Sequence, residues 1–191
     1  MITKFNNFLN EKYEKKEEIT PQQLLFKAVQ DENLPKVKKA IEEGAKVDHN
    51  NGEAISIAIE NGYVDIVRFL IDAGSDVKKY GIKPLSVAAK EGYSDVVKLL
   101  LKCNVDPKTN NEQAIINAVR GGDVKTLKLL IDAGVNVNAR EGSPIMVAIK
   151  DDNLKVTKLL LDNGAKLTDY VLKGVERYMS DKMEKLILSY K

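Results

Sequence analysis

Residues 83 to 101 read Lys83-Pro84-Leu85-Ser86-Val87-Ala88-Ala89-Lys90-Glu91-Gly92-Tyr93-Ser94-Asp95-Val96-Val97-Lys98-Leu99-Leu100-Leu101. Two apolar stretches at helical spacing flank Gly92-Tyr93, and Pro84 stands where a first helix would open, since its missing N–H is harmless there. The stretch therefore predicts two short helices joined by a tight turn. What decides the fold is recurrence at a fixed distance. Ala88 belongs to the series Ala28, Ala58, Ala88, Ala118 and Ala148, each 30 residues from the next. Three residues before each comes Leu25, Ile55, Leu85, Ile115 or Ile145. Twelve residues after each comes Ala40, Leu70, Leu100, Leu130 or Leu160.

A glycine series keeps the same register. Gly44, Gly74, Gly134 and Gly164 follow apolar runs, and Asn104 fills the remaining place. Asn is the usual substitute for Gly in the left-handed conformation that ends a helix, so Asn104 is a substitution within the pattern. In the second unit, residues 54 to 61 form the expected first helix and Gly62 breaks it. Residues 64 to 73 form the second helix and Gly74 caps it. Asp65 and Asp95 fall in the first turn of second helices, where the helix dipole favours them. Pro35 and Pro144 mark helix starts, as Pro84 does. Helices this short do not persist alone in water, where about 12–15 residues are needed. Their apolar faces must be buried by neighbouring units, and the recurrent Ala lets adjacent helices approach closely.

These residues resemble the ankyrin repeat family. The likeness is carried by Lys83-Pro84-Leu85-Ser86-Val87-Ala88-Ala89-Lys90-Glu91-Gly92-Tyr93 with Val96-Val97-Lys98-Leu99-Leu100-Leu101. Ser143-Pro144-Ile145-Met146-Val147-Ala148 carries it too, as does Leu130-Ile131-Asp132-Ala133-Gly134-Val135-Asn136-Val137-Asn138-Ala139. It covers residues 20–191, in units of about 20–49, 50–79, 80–109, 110–139 and 140–169 with a C-terminal cap at 170–191. Residues 1–19 form a separate N-terminal helix or leader. The resemblance implies an all-α solenoid of paired antiparallel helices. Ankyrin repeats run 33 residues, and these run 30. The missing residues lie between the helix-ending Gly and the next first helix, so the β-hairpin fingers are expected as truncated stubs. Their tips are Asn50-Asn51-Gly52, Tyr80-Gly81-Ile82, Asn110-Asn111-Glu112 and Arg140-Glu141-Gly142. The family's Thr and His are replaced by Glu53 and Ser56, Lys83 and Ser86, Gln113 and Ile116, Ser143 and Met146. At the C-terminus, Met183-Glu184-Lys185-Leu186-Ile187-Leu188 is similar to Val156-Thr157-Lys158-Leu159-Leu160-Leu161 at an offset of 27. Atypical end units of this kind close a solenoid core.

Composition narrows the function. The chain has 191 residues, one His, one Cys and no Trp. His49 and Cys103 alone cannot build a Cys/His zinc site or a disulfide framework. His49 reads as a loop residue, and Cys103 as a small helix-end residue beside Ala73, Ala133 and Asn163 in the other units. Lys+Arg of 30 against Asp+Glu of 28 leaves +2, without the basic excess of a nucleic-acid binder. No apolar run approaches the roughly 20 residues of a spanning helix. A Sec signal is missing from the first residues and the cysteine is unpaired, which points to the cytoplasm. An enzyme reading would rest on carboxylates alone, and Asp72 and Asp151-Asp152 sit where solvation explains them. No cofactor is expected.

The expected function is therefore non-catalytic protein–protein interaction by a monomer. The ankyrin resemblance puts the partner on the concave face made by fingers and first helices. That face comprises Tyr80, Ile82, Lys90, Glu91, Asn110, Asn111, Glu112, Arg120, Arg140, Glu141 and Lys150. Lys90, Arg120 and Lys150 share one repeat position, and Tyr80 and Ile82 are the expected anchors. On the outer face, Lys38, Arg68, Lys98, Lys128 and Lys158 run beside Glu42, Asp72, Lys102, Asp132 and Asp162. Because i and i+4 are neighbours on a helix, these columns read as a solvated face with weak ion pairs, the alternative being a basic stripe that binds an acidic partner.

Ahead of the repeats, Phe5, Phe8, Leu9 and Tyr13 fall on one helical face. Phe5-Asn6-Asn7-Phe8-Leu9-Asn10-Glu11 also resembles the leader of capsid-packaged proteins of large tailed phages, which implies cleavage after Glu11. That resemblance suggests a phage or other microbial protein that modulates a host or defence protein in the host cytoplasm, or alternatively a virion-packaged structural component.

Overall fold

A computed structural model describes residues 19–190. The segment with Phe5, Phe8, Leu9, Tyr13 and the cleavage site after Glu11 lies outside the described residues. The chain divides into two compact units, one ending at Lys46 and one beginning at Val47.

The first unit pairs α1 (Pro21–Gln30) with α2 (Leu34–Glu42). Thr20 opens α1 with a capping box: its Oγ1 accepts from Gln23 N at 3.2 Å, and Gln23 Oε1 accepts from Thr20 N at 2.8 Å. Two of the helix's otherwise orphaned donors are thereby satisfied. Asn33 Oδ1 caps α2 by accepting from Lys36 N at 3.0 Å. Gln22 brackets the chain beyond α2, accepting from Lys46 N at 3.0 Å and donating to Lys46 O at 3.3 Å.

The second unit repeats the pairing. First helices are α3 (His49–Glu60), α6 (Ile82–Glu91), α8 (Thr109–Gly121), α10 (Ala139–Lys150) and α12 (Asp169–Val175). Second helices are α4 (Val64–Asp72), α7 (Ser94–Lys102), α9 (Val124–Asp132), α11 (Leu154–Asp162) and α13 (Asp181–Leu188). A single helical turn, α5 (Val77–Tyr80), precedes α6, and a 3-10 turn spans Glu176–Tyr178. First helices pack on first helices and second on second, in chain order, giving two layers. The core lies between them and consists of the repeat positions: Ile55, Leu85, Ile115 and Ile145 from one layer, Leu70, Leu100, Leu130 and Leu160 from the other, all essentially inaccessible. Met183 and Ile187 of α13 are buried in the same way, in line with the offset of 27 read from the sequence. Asn104 has φ +59°, matching its place in the glycine series.

Two features of packing depart from the plain repeat. Gly121, at the end of α8, leaves room for the backbone of α6: a Cβ there would stand 1.9 Å from Lys90 O. Nearby, Asn117 Nδ2 donates to Ser86 O at 3.1 Å. Thr126 and Thr157 are fully buried, and neither hydroxyl has a hydrogen-bond partner.

No β-pairing occurs among the described residues; the stub fingers are single turns, because the shortened connection leaves too few residues for a hairpin. The turns differ in hand. Asn50, Asn51 and Gly52 have φ of 49, 56 and 72°, and Arg140, Glu141 and Gly142 have φ of 47, 57 and 87°. Each is a short left-handed turn. Gly52 N closes the first by donating to Asp48 O at 3.3 Å, and Gly142 N closes the second onto Asn138 O at 3.2 Å. Asn tolerates this conformation; Arg140 and Glu141 carry a cost of roughly 1–2 kcal/mol each. By contrast, α5 is right-handed and leads straight into α6.

Within the second unit, side-chain brackets also link successive repeats. Asp48 accepts from Ser75 Oγ at 2.7 Å and Asp76 N at 3.2 Å. Asn138, three units on at the same position, accepts from Lys166 N at 2.8 Å and donates to Gly164 O at 2.9 Å.

Candidate partner-binding face

Tyr80 and Ile82 come together, as the finger tip suggested. Both are half-buried and line a cleft of about 410 Å³ with Asn51, Ser56, Glu60, Lys79, Lys83 and Pro84. Part of Tyr80 is used within the fold. Its ring lies on Gly52, where a Cβ would meet Tyr80 Cγ at 2.4 Å. The Lys79 ammonium sits 5.0 Å from the centroid of the same ring, a cation–π distance that steadies the ring's position. The cleft thus sets apolar Tyr80, Ile82 and Pro84 among Lys79, Lys83 and Glu60.

Several of the remaining expected residues are already engaged within the fold. Lys90 and Glu91 are exposed and paired, Nζ to Oε1 at 3.6 Å. Arg120 is exposed next to Gly121. Lys150 is exposed with its ammonium 5.4 Å from the Tyr178 ring centroid. Asn110 is exposed with φ +54°; the side chain of Asn111 lies outside the described part. Glu112 is half-buried at φ +55° and accepts from Asn136 N at 3.3 Å, so it acts as a bracket to the next unit. Arg140 is exposed and donates through Nη2 to Gln113 Oε1 at 3.1 Å. Glu141 lines a different cleft, of about 520 Å³, with Asn138, Gly142, Lys166, Thr168 and Tyr170.

Residue-by-residue reading of the finger tips did not reach Lys83 and Val87. Together with Lys90 they occupy i, i+4 and i+7 on the exposed side of α6, one helical face. Val87, 36% exposed, has Ile57 and Val147 at the same position in other units. Ile57 and Val87 are thus neighbouring aliphatic members of one row, which Asn117 interrupts before Val147, with Glu53 and Lys83 on one side and Lys90, Arg120 and Lys150 on the other. The signal was in the ruler itself: positions 57, 87 and 147 are aliphatic without being core. No group of three or more His, Cys, Asp or Glu suited to a metal ion occurs among the described residues. No described helix is long and apolar enough to cross a membrane.

The family model described as ankyrin repeats (3 copies) matches residues 6–84, 25–111 and 85–170. The chain belongs to the ankyrin repeat family. Ankyrin architecture is also what the three-dimensional comparison returns. The crystal structure of the human ASB11 ankyrin repeat domain is similar with a TM-score of 0.76 at 24% identity, covering 87% of this chain and 82% of that one. At that identity the likeness speaks for the ankyrin fold alone. No curated protein is significantly similar in sequence.

Proposed function

We propose that this ankyrin repeat chain is a non-catalytic recognition scaffold, working as a cytoplasmic monomer, that holds another protein against its fingers and first helices. The observation that carries the reading is the cleft containing Tyr80 and Ile82, with aliphatic Ile57 and Val87 on the neighbouring first helices. An apolar centre with a charged rim is the usual anatomy of a protein interface. Catalysis, cofactors and nucleic acid have no place in it.

Affinity capture followed by charge reversal tests this. A captured partner should bind the folded Lys90→Glu, Arg120→Glu, Lys150→Glu triple variant about tenfold or more weakly, with most of the loss in association rate. Unchanged affinity would remove this face from consideration. The reading as a phage or other microbial protein that modulates a host or defence protein, and its virion-packaged alternative, rest on Phe5 to Glu11 alone. Intact-mass measurement decides the leader: a chain starting at Lys12 supports packaging, and one starting at Met1 or Ile2 counts against it.

A further inference from the structure

The second helices carry one charge out of step. Four residues after Arg68, Lys98, Lys128 and Lys158 stand Asp72, Lys102, Asp132 and Asp162. In α9 the i, i+4 pair closes, with Lys128 Nζ 3.9 Å from Asp132 Oδ1. In α7 the i+4 neighbour of Lys98 is another cation, and like charges at that spacing repel. Lys102 does sit in the last turn of its helix, where the dipole favours a cation. That accounts for a lysine, and leaves its surroundings to be explained.

Arg68, Lys98 and Lys102 line one cleft of about 320 Å³ between α4 and α7, with Val64 and Leu99 as its apolar lining. All three cations are exposed. The carboxylate that lines the cleft, Asp95, is engaged by Lys125, Nζ to Oδ1 at 3.2 Å. Among the described residues no carboxylate forms an ion pair with Arg68, Lys98 or Lys102. Three cations against the single carboxylate of Asp95 leave a positive excess beside the apolar Val64 and Leu99, in a chain whose net charge is only +2. A cleft in which one sign of charge predominates favours an oppositely charged ligand.

We propose that this cleft is a second binding surface and that it takes an acidic segment of a protein partner. The segment's carboxylates meet Arg68, Lys98 and Lys102, and a neighbouring aliphatic side chain rests on Val64 and Leu99. The surface lies on the second helices, so it stands independently of the finger-side reading.

The test titrates isotope-labelled full-length protein with the end-capped peptide Asp-Glu-Leu-Glu-Asp at low ionic strength, followed by amide chemical shifts. The expected result is saturable shifts across residues 64–68 and 95–102, suppressed by added salt. Lys102→Asp installs the residue that Asp72, Asp132 and Asp162 already supply elsewhere, so it should fold, and it should weaken binding about tenfold. The neighbouring-repeat control Lys128→Asp should weaken it clearly less than Lys102→Asp does, since at low salt the field reaches one repeat away. Equal affinity in Lys102→Asp, shifts confined to the finger side, or equal binding of the Asn/Gln version of the peptide would each overturn the proposal. A phosphoserine version binding about tenfold or more tightly would overturn the acidic assignment in favour of a phosphorylated partner.

Discussion

The second helices and the fingers answer to different forces. Across α4, α7, α9 and α11 the buried positions repeat nearly unchanged, with Leu70, Leu100, Leu130 and Leu160 each at zero exposure. The fingers at the starts of the first helices differ in sequence, and one differs in hand: Asn50 to Gly52 and Arg140 to Gly142 turn left, as do Asn110 and Glu112, whereas Val77 to Tyr80 turns right. Burial of an aliphatic side chain is a strong and non-directional demand, so every unit meets it the same way. A three-residue turn is governed by a few kcal/mol of local preference, which one neighbour's side chain can outweigh.

The largest expected effect lies on the regular side of that contrast. Leu100→Ala should cost about 2–5 kcal/mol in denaturant unfolding. A loss below about 1 kcal/mol would mean that the repeat positions do not carry the stability, and the contrast would collapse. Gly52→Ala should cost about 2–4 kcal/mol, because it adds overpacking against Tyr80 to left-handed strain. Gly74→Ala shares a left-handed φ of +96° but meets nothing within 4 Å, so about 1 kcal/mol is expected. If the two alanine variants melt alike, Tyr80 does not decide the finger. A combined Gly52→Ala, Tyr80→Ser variant should recover part of the larger loss.

One irregularity inside the regular layer runs the other way. Thr126 is buried with an unpaired hydroxyl, whereas Val96 and Val156 hold the same place in neighbouring units. Thr126→Val should stabilise by about 1 kcal/mol in the same unfolding assay. No gain would mean that the hydroxyl finds a partner in solution.

The smallest effect belongs to the C-terminal end. The Tyr190 hydroxyl donates to Asp162 Oδ1. That bond, then partial desolvation, then the carboxylate's charge raise the Tyr190 pKa above the ordinary 10. The protonated phenol is the form the fold favours. Its contribution is therefore complete below the ordinary value and is lost as pH rises through the raised one. Amide exchange in α13 should accelerate in that alkaline window, and Tyr190→Phe should remove the added pH dependence. An unchanged profile in the variant would show that the bond does not tie down this end.

Much of this could be read without coordinates. The 30-residue ruler located the helix pairs, the buried leucines and the left-handed place of Asn104, because each depends on residues close in sequence and on solvent. The arrangement of the finger-side residues was legible only in part. Tyr80 and Ile82 do share a cleft, but Tyr80 spends one face on Gly52, 28 positions earlier. Glu112, at a finger tip, serves as a bracket to Asn136. Lys102 could be seen to break the acidic column, yet only packing brought it beside Arg68 and an already engaged Asp95.

The amino-acid sequence by itself determined the ankyrin architecture, the register of its units and the absence of a sulfur-and-histidine metal constellation, since periodicity and residue counts are complete in one dimension. The tertiary structure alone decided the hand of each finger and which exposed groups are spent on neighbouring units. It also decided where uncompensated charge gathers. Those outcomes turn on contacts between residues about 30 apart, whose energies compete with local preferences of similar size.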